Sequence, residues 1–395
     1  RRQNATMSSR TAALLLSIGA AGAFEPLHAP SQAWAPLVGL LNDWQFTRDF
    51  AVTVGNASGV VFNFQKGSMT LDTRVKTAST SKWPMAMALA SAVADGTIKS
   101  LDTKANEVIP WWTKNVSDSR SMVTLRHLLS FTSGFGSGSP GGSEKPATTC
   151  ERDQHGDYET CSFLVYNTTQ VTGTPGTVYS YNGVHLRLAM MMVMKASGLT
   201  LHQVLDKYLV KGLRMASTTC DGFNTSGVVS NPDLSACLTV TGKDYANFLS
   251  GIFDYSLVPN EIVEASEVDY TPFLDGYSLY GHYGFGHFLE CFDNPAGMTE
   301  ACKAAKVHAD PGGFGYYPLI DRKYNYWMQI VAFEFGDRYG YSGIPEYLRL
   351  LVKPYVDAVM RGEDLQSGDR NRFNALSIAD FNYIAKCGTD PQSCV

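Results

Sequence analysis

The sequence has 395 residues, 44 % of them hydrophobic and 12 % aromatic, with 36 glycines and 17 prolines. That apolar content can offset the ordering entropy of folding, and the ordinary glycine and proline counts exclude collagen-like or low-complexity chains. Charged residues make up only 17 %, and 32 basic against 37 acidic side chains leave a net charge of −5 without the basic stripe of a nucleic-acid binder.

Arg10 precedes an apolar run from Ala12 to Ala23 that ends in Ala21-Gly22-Ala23. A positive charge, a short apolar core and a small-residue site predict a signal peptide over residues 7–23, starting at Met7. The run is too short to span a membrane. Residues 50–66 alternate around Asn56-Ala57-Ser58-Gly59 and predict a hairpin. A helix is expected from Ser81 to Ala94, with Pro84 tolerated in its first turn. Residues 130–175, rich in Gly, Ser, Thr and Pro, read as a long ordered surface loop. Helices follow at Leu186–Ala196, whose methionines suit core packing, and at Leu201–Leu213. Residues 313–335 hold two β-rich runs split by Asp321-Arg322-Lys323, and residues 345–360 predict a closing helix. Strands at both ends with helices between them predict an α/β (α+β) fold: an antiparallel sheet flanked by helices, with an inserted helical subdomain.

The eight cysteines cluster as Cys150/Cys161, Cys220/Cys237, Cys291/Cys302 and Cys387/Cys394, which favours disulfides closing small loops. Sequons begin at Asn4, Asn56, Asn115, Asn167 and Asn224. Together these features predict a secreted or secretory-pathway glycoprotein.

The sequence lacks a G-x-S-x-G elbow, an H-E-x-x-H metal motif and a phosphate loop. What stands out is Ser79-Thr80-Ser81-Lys82, at the start of a predicted helix. Positions i and i+3 share a helix face, so the Lys82 amine can reach the Ser79 hydroxyl. A serine needs an adjacent base, and a lysine serves if burial makes it substantially neutral. Helix-terminal N–H groups suit a developing oxyanion. No cluster has metal-ligand spacing, so neither a metal nor another cofactor is expected. His127, His185, His282 and His287 read as core or surface residues, and Trp111-Trp112 as packing.

Five stretches extend the S-x-x-K signal. They are DTRVKTASTSKWPMAMALASAVADGTIKSLD from Asp72, VTLRHLLSFTSGF from Val123, PGTVYSYNG from Pro175, LVKGLRMASTT, and TGKDYANFLSGIF. In this order the chain resembles the serine β-lactamase-like and penicillin-binding superfamily, nearest the branch of class C β-lactamases, DD-peptidases and related esterases. The second stretch has Phe131 where the family usually has histidine. The resemblance implies that Ser79 is acylated and that Lys82 is its base partner. A tyrosine of the family's Y-x-N motif would shuttle protons, and both Tyr179 and Tyr181 compete for that place. The register from the Pro-Gly turn to Ser197-Gly198 favours Tyr181.

In that register Gly183 replaces the substrate-binding asparagine, unless Asn182 takes over. The family's third motif, K-T-G or H-x-G, has its best counterpart in His308-Ala309-Asp310. His308 then becomes a candidate substrate-side electrostatic group. Asp310 stands where glycine normally lets substrate lie along the strand, and Pro311 where an oxyanion donor is sought. The expected unit spans residues 24–361, with an α/β part from 24–84 and 231–361 and a helical part from 85–230, followed by a tail over 362–395. The function expected is an acyl-enzyme serine hydrolase acting on a small-molecule or peptide ester or amide. Its rivals are a catalytically silent binding glycoprotein and a true β-lactamase or DD-peptidase. No nucleic-acid partner and no membrane span are expected, and the oligomeric state is open.

Overall fold

The strands Phe50–Asn56 (β1) and Gly59–Lys66 (β2) form the expected antiparallel hairpin. Gly59 closes its turn at φ +106°, a conformation open to glycine without strain. Arg74–Lys76 (β3), Thr219–Cys220 (β4) and Leu238–Thr241 (β5) make a small second sheet in the order β3-β5-β4. His282–Tyr283 (β6), Phe288–Leu289 (β7), Val307–Ala309 (β8), Tyr317–Asp321 (β9) and Tyr326–Ala332 (β10) complete the main sheet. Its order is β2-β1-β10-β9-β8-β7-β6, every neighbour antiparallel, with Val52 of β1 opposite Ile330 of β10. The last strand of the sheet therefore pairs with the first, as the sequence pattern implied.

This computed structural model describes residues 32–138, 148–222, 229–274, 282–291, 298–334, 343–363 and 365. The predicted signal peptide, the Cys387/Cys394 pair, the sequons at Asn4 and Asn224 and nearly all of the predicted tail lie outside these residues. The helices are Ala35–Asp43 (α1), Lys82–Ala94 (α2), Ala105–Val108 (α3), Leu125–Leu129 (α4), Tyr158–Thr168 (α5) and Val184–Ser197 (α6). Leu201–Val204 (α7), Gly242–Phe253 (α8), Asn260–Ser266 (α9), Glu300–Ala305 (α10) and Gly343–Met360 (α11) follow.

Strand alternation divides the core into two layers. Phe50, Val52 and Val54 turn to one face and pack with Leu37 and Leu41 of α1 and Val352 and Val356 of α11. Ala51 and Val331 turn to the other face and join Trp83 and Leu89 of α2 with Phe248 and Ile252 of α8. Each such side chain contributes roughly 1.5–3 kcal/mol when fully buried. Gly242 lets α8 meet the sheet, since a Cβ there would stand 2.8 Å from Leu71 and 3.1 Å from Val331.

Two expectations need correction. The stretch 130–175 is not all loop, because α5 forms within it. The Asp157 side chain caps its start at Thr160 N–H, and Tyr158, Cys161 and Val165 bury one face. The predicted helix Leu201–Leu213 begins as α7 and continues in wider π-helical turns over Leu205–Gly212. Disulfides join Cys150 to Cys161, Cys220 to Cys237 and Cys291 to Cys302, three of the four pairs expected. Among the described residues no single helix is long and apolar enough to cross a membrane.

One buried ion pair ties the edge of the sheet to α11. Glu290, following β7, accepts from Arg349 and from the Tyr317 hydroxyl, and both charged side chains are buried. Removing one partner of such a pair leaves an uncompensated buried charge. Arg349→Met should therefore destabilise the fold by about 3 kcal/mol, read as a lowered denaturant midpoint. The double variant Arg349→Met/Glu290→Leu should recover much of that loss.

Candidate active site

The nucleophile candidate sits on a clamped turn. Ala78–Ser81 makes one 3₁₀ turn before α2, and Ala78 takes φ +50°, a strained conformation for a residue with a Cβ. Leu238 of β5 holds both ends of this turn. Its carbonyl accepts from Thr77 N–H at 3.0 Å and Thr77 Oγ1 at 3.1 Å, and its N–H donates to Ser81 Oγ at 3.0 Å. On the other side Thr80 Oγ1 donates to the Asp310 carbonyl at 2.7 Å, and the Tyr245 hydroxyl donates to the Thr80 carbonyl at 3.0 Å.

Lys82 opens α2 and is buried. Its Nζ lies 2.9 Å from Ser79 Oγ and donates at 2.9 Å to the Ser235 carbonyl. Burial draws its amine down to about 8, opposed by the negative charges of Asp310 and Asp233. Tyr181 stacks its ring 4.5 Å from Lys82 Nζ and shares a hydrogen bond with Ser79. Burial, then Asp310, pushes its phenol well above the ordinary value. Phe131, Tyr283 and Phe288 surround the ring, with centroids 6.0, 6.1 and 5.7 Å away. Tyr179 instead lies in the core, where its hydroxyl finds no partner among the described residues. The structure thus brings Ser79, Lys82 and Tyr181 together and leaves Tyr179 apart.

The remaining candidates are placed differently. Asn182 donates to the Phe135 carbonyl at 3.2 Å and accepts from Val184 N–H at 3.1 Å, so it braces the start of α6. Gly183 is the residue before α6, facing Asp233 and Ser235. His308 has no exposure and makes its contacts in a separate cluster. Its Nδ1 lies 3.1 Å from His287 Nε2, and its Nε2 lies 3.7 Å from Glu267, itself paired with Arg322. Burial pulls His308 down to about 3, so it is neutral and no ion pair forms with Glu267. A substrate-side role does not fit that position.

Asp310 is buried beneath the helix rather than laid along a substrate path. Its Oδ2 accepts from Trp83 N–H at 2.9 Å, one of the orphan donors at the start of α2. Its Oδ1 has no partner among the described residues. Burial raises its carboxyl well above the ordinary range, opposed by Lys82 and the Trp83 N–H. The glycine that meets the nucleophile turn is Gly312, two residues beyond the place expected. A Cβ there would clash with the Thr77 carbonyl and stand 2.5 Å from Thr80 Oγ1. Gly313 follows against Ala78, and its N–H forms no hydrogen bond among the described residues.

Sequence reasoning missed Leu238, Ser235, Asp233, Tyr245 and Gly312. Tyr245 lies within the TGKDYANFLSGIF stretch, the others belong to no recognisable pattern, and most act through backbone groups or shape. His185, expected in the core or at the surface, is a satisfied core residue that bridges Ser133 Oγ and the Ser180 carbonyl at 2.9 Å each and so fixes the segment before Tyr181.

Residues 47–222 match the family described as β-lactamase, a span that contains Ser79, Lys82 and Tyr181 and ends before Asp233 and Asp310. Solved structures share the fold. A candidate β-lactamase from Bacteroides dorei is 24 % identical, with TM-score 0.64 over 83 % of this chain and 99 % of that one. EstCE1, a hydrolase with promiscuous acyltransferase activity, is 13 % identical, with TM-score 0.59 over 76 % and 92 %. A D-stereospecific amidohydrolase from Streptomyces is 16 % identical, with TM-score 0.57 over 84 % and 98 %. No curated protein matches the chain. The match over residues 47–222 and these shared folds agree with the resemblance to serine β-lactamase-like and penicillin-binding proteins.

The opposition between burial and Asp310 can be tested directly. Asp310→Asn keeps an acceptor for Trp83 N–H but removes the charge that favours the ammonium form. The Lys82 titration, followed by its side-chain ¹³Cε resonance, should then move to lower pH. An unmoved titration would show that Asp310 carries no charge beside the amine.

Proposed function

We propose that this protein is a serine hydrolase that forms an acyl-enzyme at Ser79 on an ester or amide substrate. The observation that carries the reading is the buried Lys82 amine held 2.9 Å from Ser79 Oγ. In its neutral form Lys82 takes the proton as Ser79 Oγ bonds to the substrate carbonyl carbon. The oxyanion is held by the backbone N–H groups of Ser79 and Gly313. The carbonyl re-forms as the bond to the leaving group breaks, and that group receives a proton relayed through Tyr181. Water then attacks the acyl carbon, giving up its proton to the same pair, and releases the acid with Ser79 restored. Gly183 supplies no carboxamide where the resemblance implies that a β-lactam acyl amide would be held. An esterase- or peptidase-like activity is therefore preferred to β-lactam hydrolysis. The disulfides and the exposed sequon asparagines Asn115 and Asn167 support an extracellular or secretory-pathway setting.

A fluorophosphonate probe should label Ser79, and Ser79→Ala should abolish both labelling and ester hydrolysis. Absence of labelling in the folded protein would overturn the reading. Tyr181→Phe should lower kcat/KM by about 10²-fold or more, the usual contribution of a positioned acid–base group. The sign of the pH dependence follows from Lys82. The base is active when neutral, so kcat/KM should rise with pH, with an acid limb centred near the amine's value of about 8. A pH-independent rate between about pH 6 and 9, across the expected limb, would exclude Lys82 as the base.

A further inference from the structure

The position of the missing carboxamide is not empty. A Cβ on Gly183 would stand 2.9 Å from Asp233 Oδ1 and 3.3 Å from Ser235 Oγ, so an acidic side chain occupies that flank of the site. Asp233 Oδ1 accepts from Ser235 N–H at 2.9 Å and from Ser235 Oγ at 2.7 Å. The Ser235 carbonyl in turn accepts from Lys82 Nζ. The carboxylate is thus fixed through one residue to the partner of the nucleophile. Asp233 is solvent-exposed although Ser235 and Asn182 beside it are buried. Its Oδ2 has no hydrogen-bond partner among the described residues.

The charge around the site is one-sided. The formal charges that bear on Lys82 are the carboxylates Asp310 and Asp233, and the same two bear on Tyr181. Asp310 is enclosed under the start of α2, which leaves Asp233 as the acid that a solute can approach. A carboxylate-bearing substrate would meet repulsion here, whereas an ammonium group could pair with Oδ2.

We propose that Asp233 is a specificity-determining residue, selecting acyl substrates that carry an ammonium group close to the reacting carbonyl. Amino-acid esters and peptides with a free N-terminus are the class described. This inference rests on the hydrolase reading. An exposed ion pair contributes up to about 1 kcal/mol, which is about fivefold in kcat/KM. Salt should weaken the preference, because the partner is reached by solvent.

The test uses the full chain and alanine p-nitrophenyl esters and p-nitroanilides of both configurations. Each is offered with a free amine, N-acetylated and N-succinylated, giving cationic, neutral and anionic members. The wild type should favour the cationic member, disfavour the anionic one, and lose the preference as salt rises. In Asp233→Asn, whose amide oxygen can still accept from Ser235, the cationic-to-neutral ratio of kcat/KM should fall about fivefold. Gly183→Ala, which pushes a methyl group against the carboxylate, should lower the same ratio. Turnover with a charge preference that is absent, or unchanged in Asp233→Asn, would overturn the inference and leave the hydrolase intact. No turnover of any substrate, together with no phosphonate labelling of Ser79, would overturn both.

Discussion

A lysine amine buried in a protein has to be satisfied by acceptors that cannot move away, and that requirement organises the centre of this molecule. Lys82 Nζ has two, Ser79 Oγ and the Ser235 carbonyl, each at 2.9 Å. One comes from the 3₁₀ turn before its helix and the other from the segment leading into β5. Placing the serine correctly needs the turn before α2, and that turn contains Ala78 at positive φ, at a cost of about 1–3 kcal/mol. Hydrogen bonds from Leu238 at both ends of the turn, and from Asp310 and Tyr245 around Thr80, offset the strain. The two sheets and the helix meet at this one point. Their packing and the Ser79–Lys82 geometry therefore depend on each other.

The strand approaching the turn shows the same dependence. Gly312 is where the hairpin between β8 and β9 touches the nucleophile turn, and any side chain there would collide with the Thr77 carbonyl. Two residues earlier the chain inserts Asp310 under the first N–H groups of α2. A carboxylate suits that location through the helix dipole and the Trp83 N–H, even though enclosure penalises its charge.

How much of this was legible in the sequence depended on range. Ser79 and Lys82 are three residues apart across the 3₁₀ turn that runs into α2, so spacing alone placed them together. The β1–β2 hairpin also followed from local alternation, and a sheet completed late in the chain followed from strands at both of its ends. Tyr181 was separable from Tyr179 by its register between the Pro-Gly turn and Ser197-Gly198, and it is the one that lies beside Lys82. The third motif has no clean counterpart in the sequence, and its best candidate, His308-Ala309-Asp310, is fully buried at all three residues. Nothing in the sequence says that His308 is drawn into a buried cluster by His287, Glu267 and Arg322. The helix α5 was hidden for a different reason, since its Thr-, Asn- and Cys-containing face has little propensity and it is held by a cap, a disulfide and burial. Ser235 and Asp233 could not have been found, because one acts through its carbonyl and the other through a gap left by a glycine far away in sequence.

That gap bears on how the site divides its tasks. Enclosure lowers the Lys82 ammonium, and both acids raise it, so its charge is set by a balance and not by one neighbour. The acids differ in their contact with water. Asp310 is sealed in, so whatever charge it carries acts on Lys82 and Tyr181 whether or not a substrate is present. Asp233 is open to solvent, so its field on the amine is screened in the free protein, and closing a solute over it would remove that screening. A neutral substrate seated there would strengthen the pull of Asp233 on Lys82 and favour the ammonium form, which is the wrong form for accepting the Ser79 proton. An ammonium-bearing substrate would cancel that pull as it binds. The same residue can therefore influence both which solute is held and the state of the base when it arrives, because Gly183 leaves only a short distance between them.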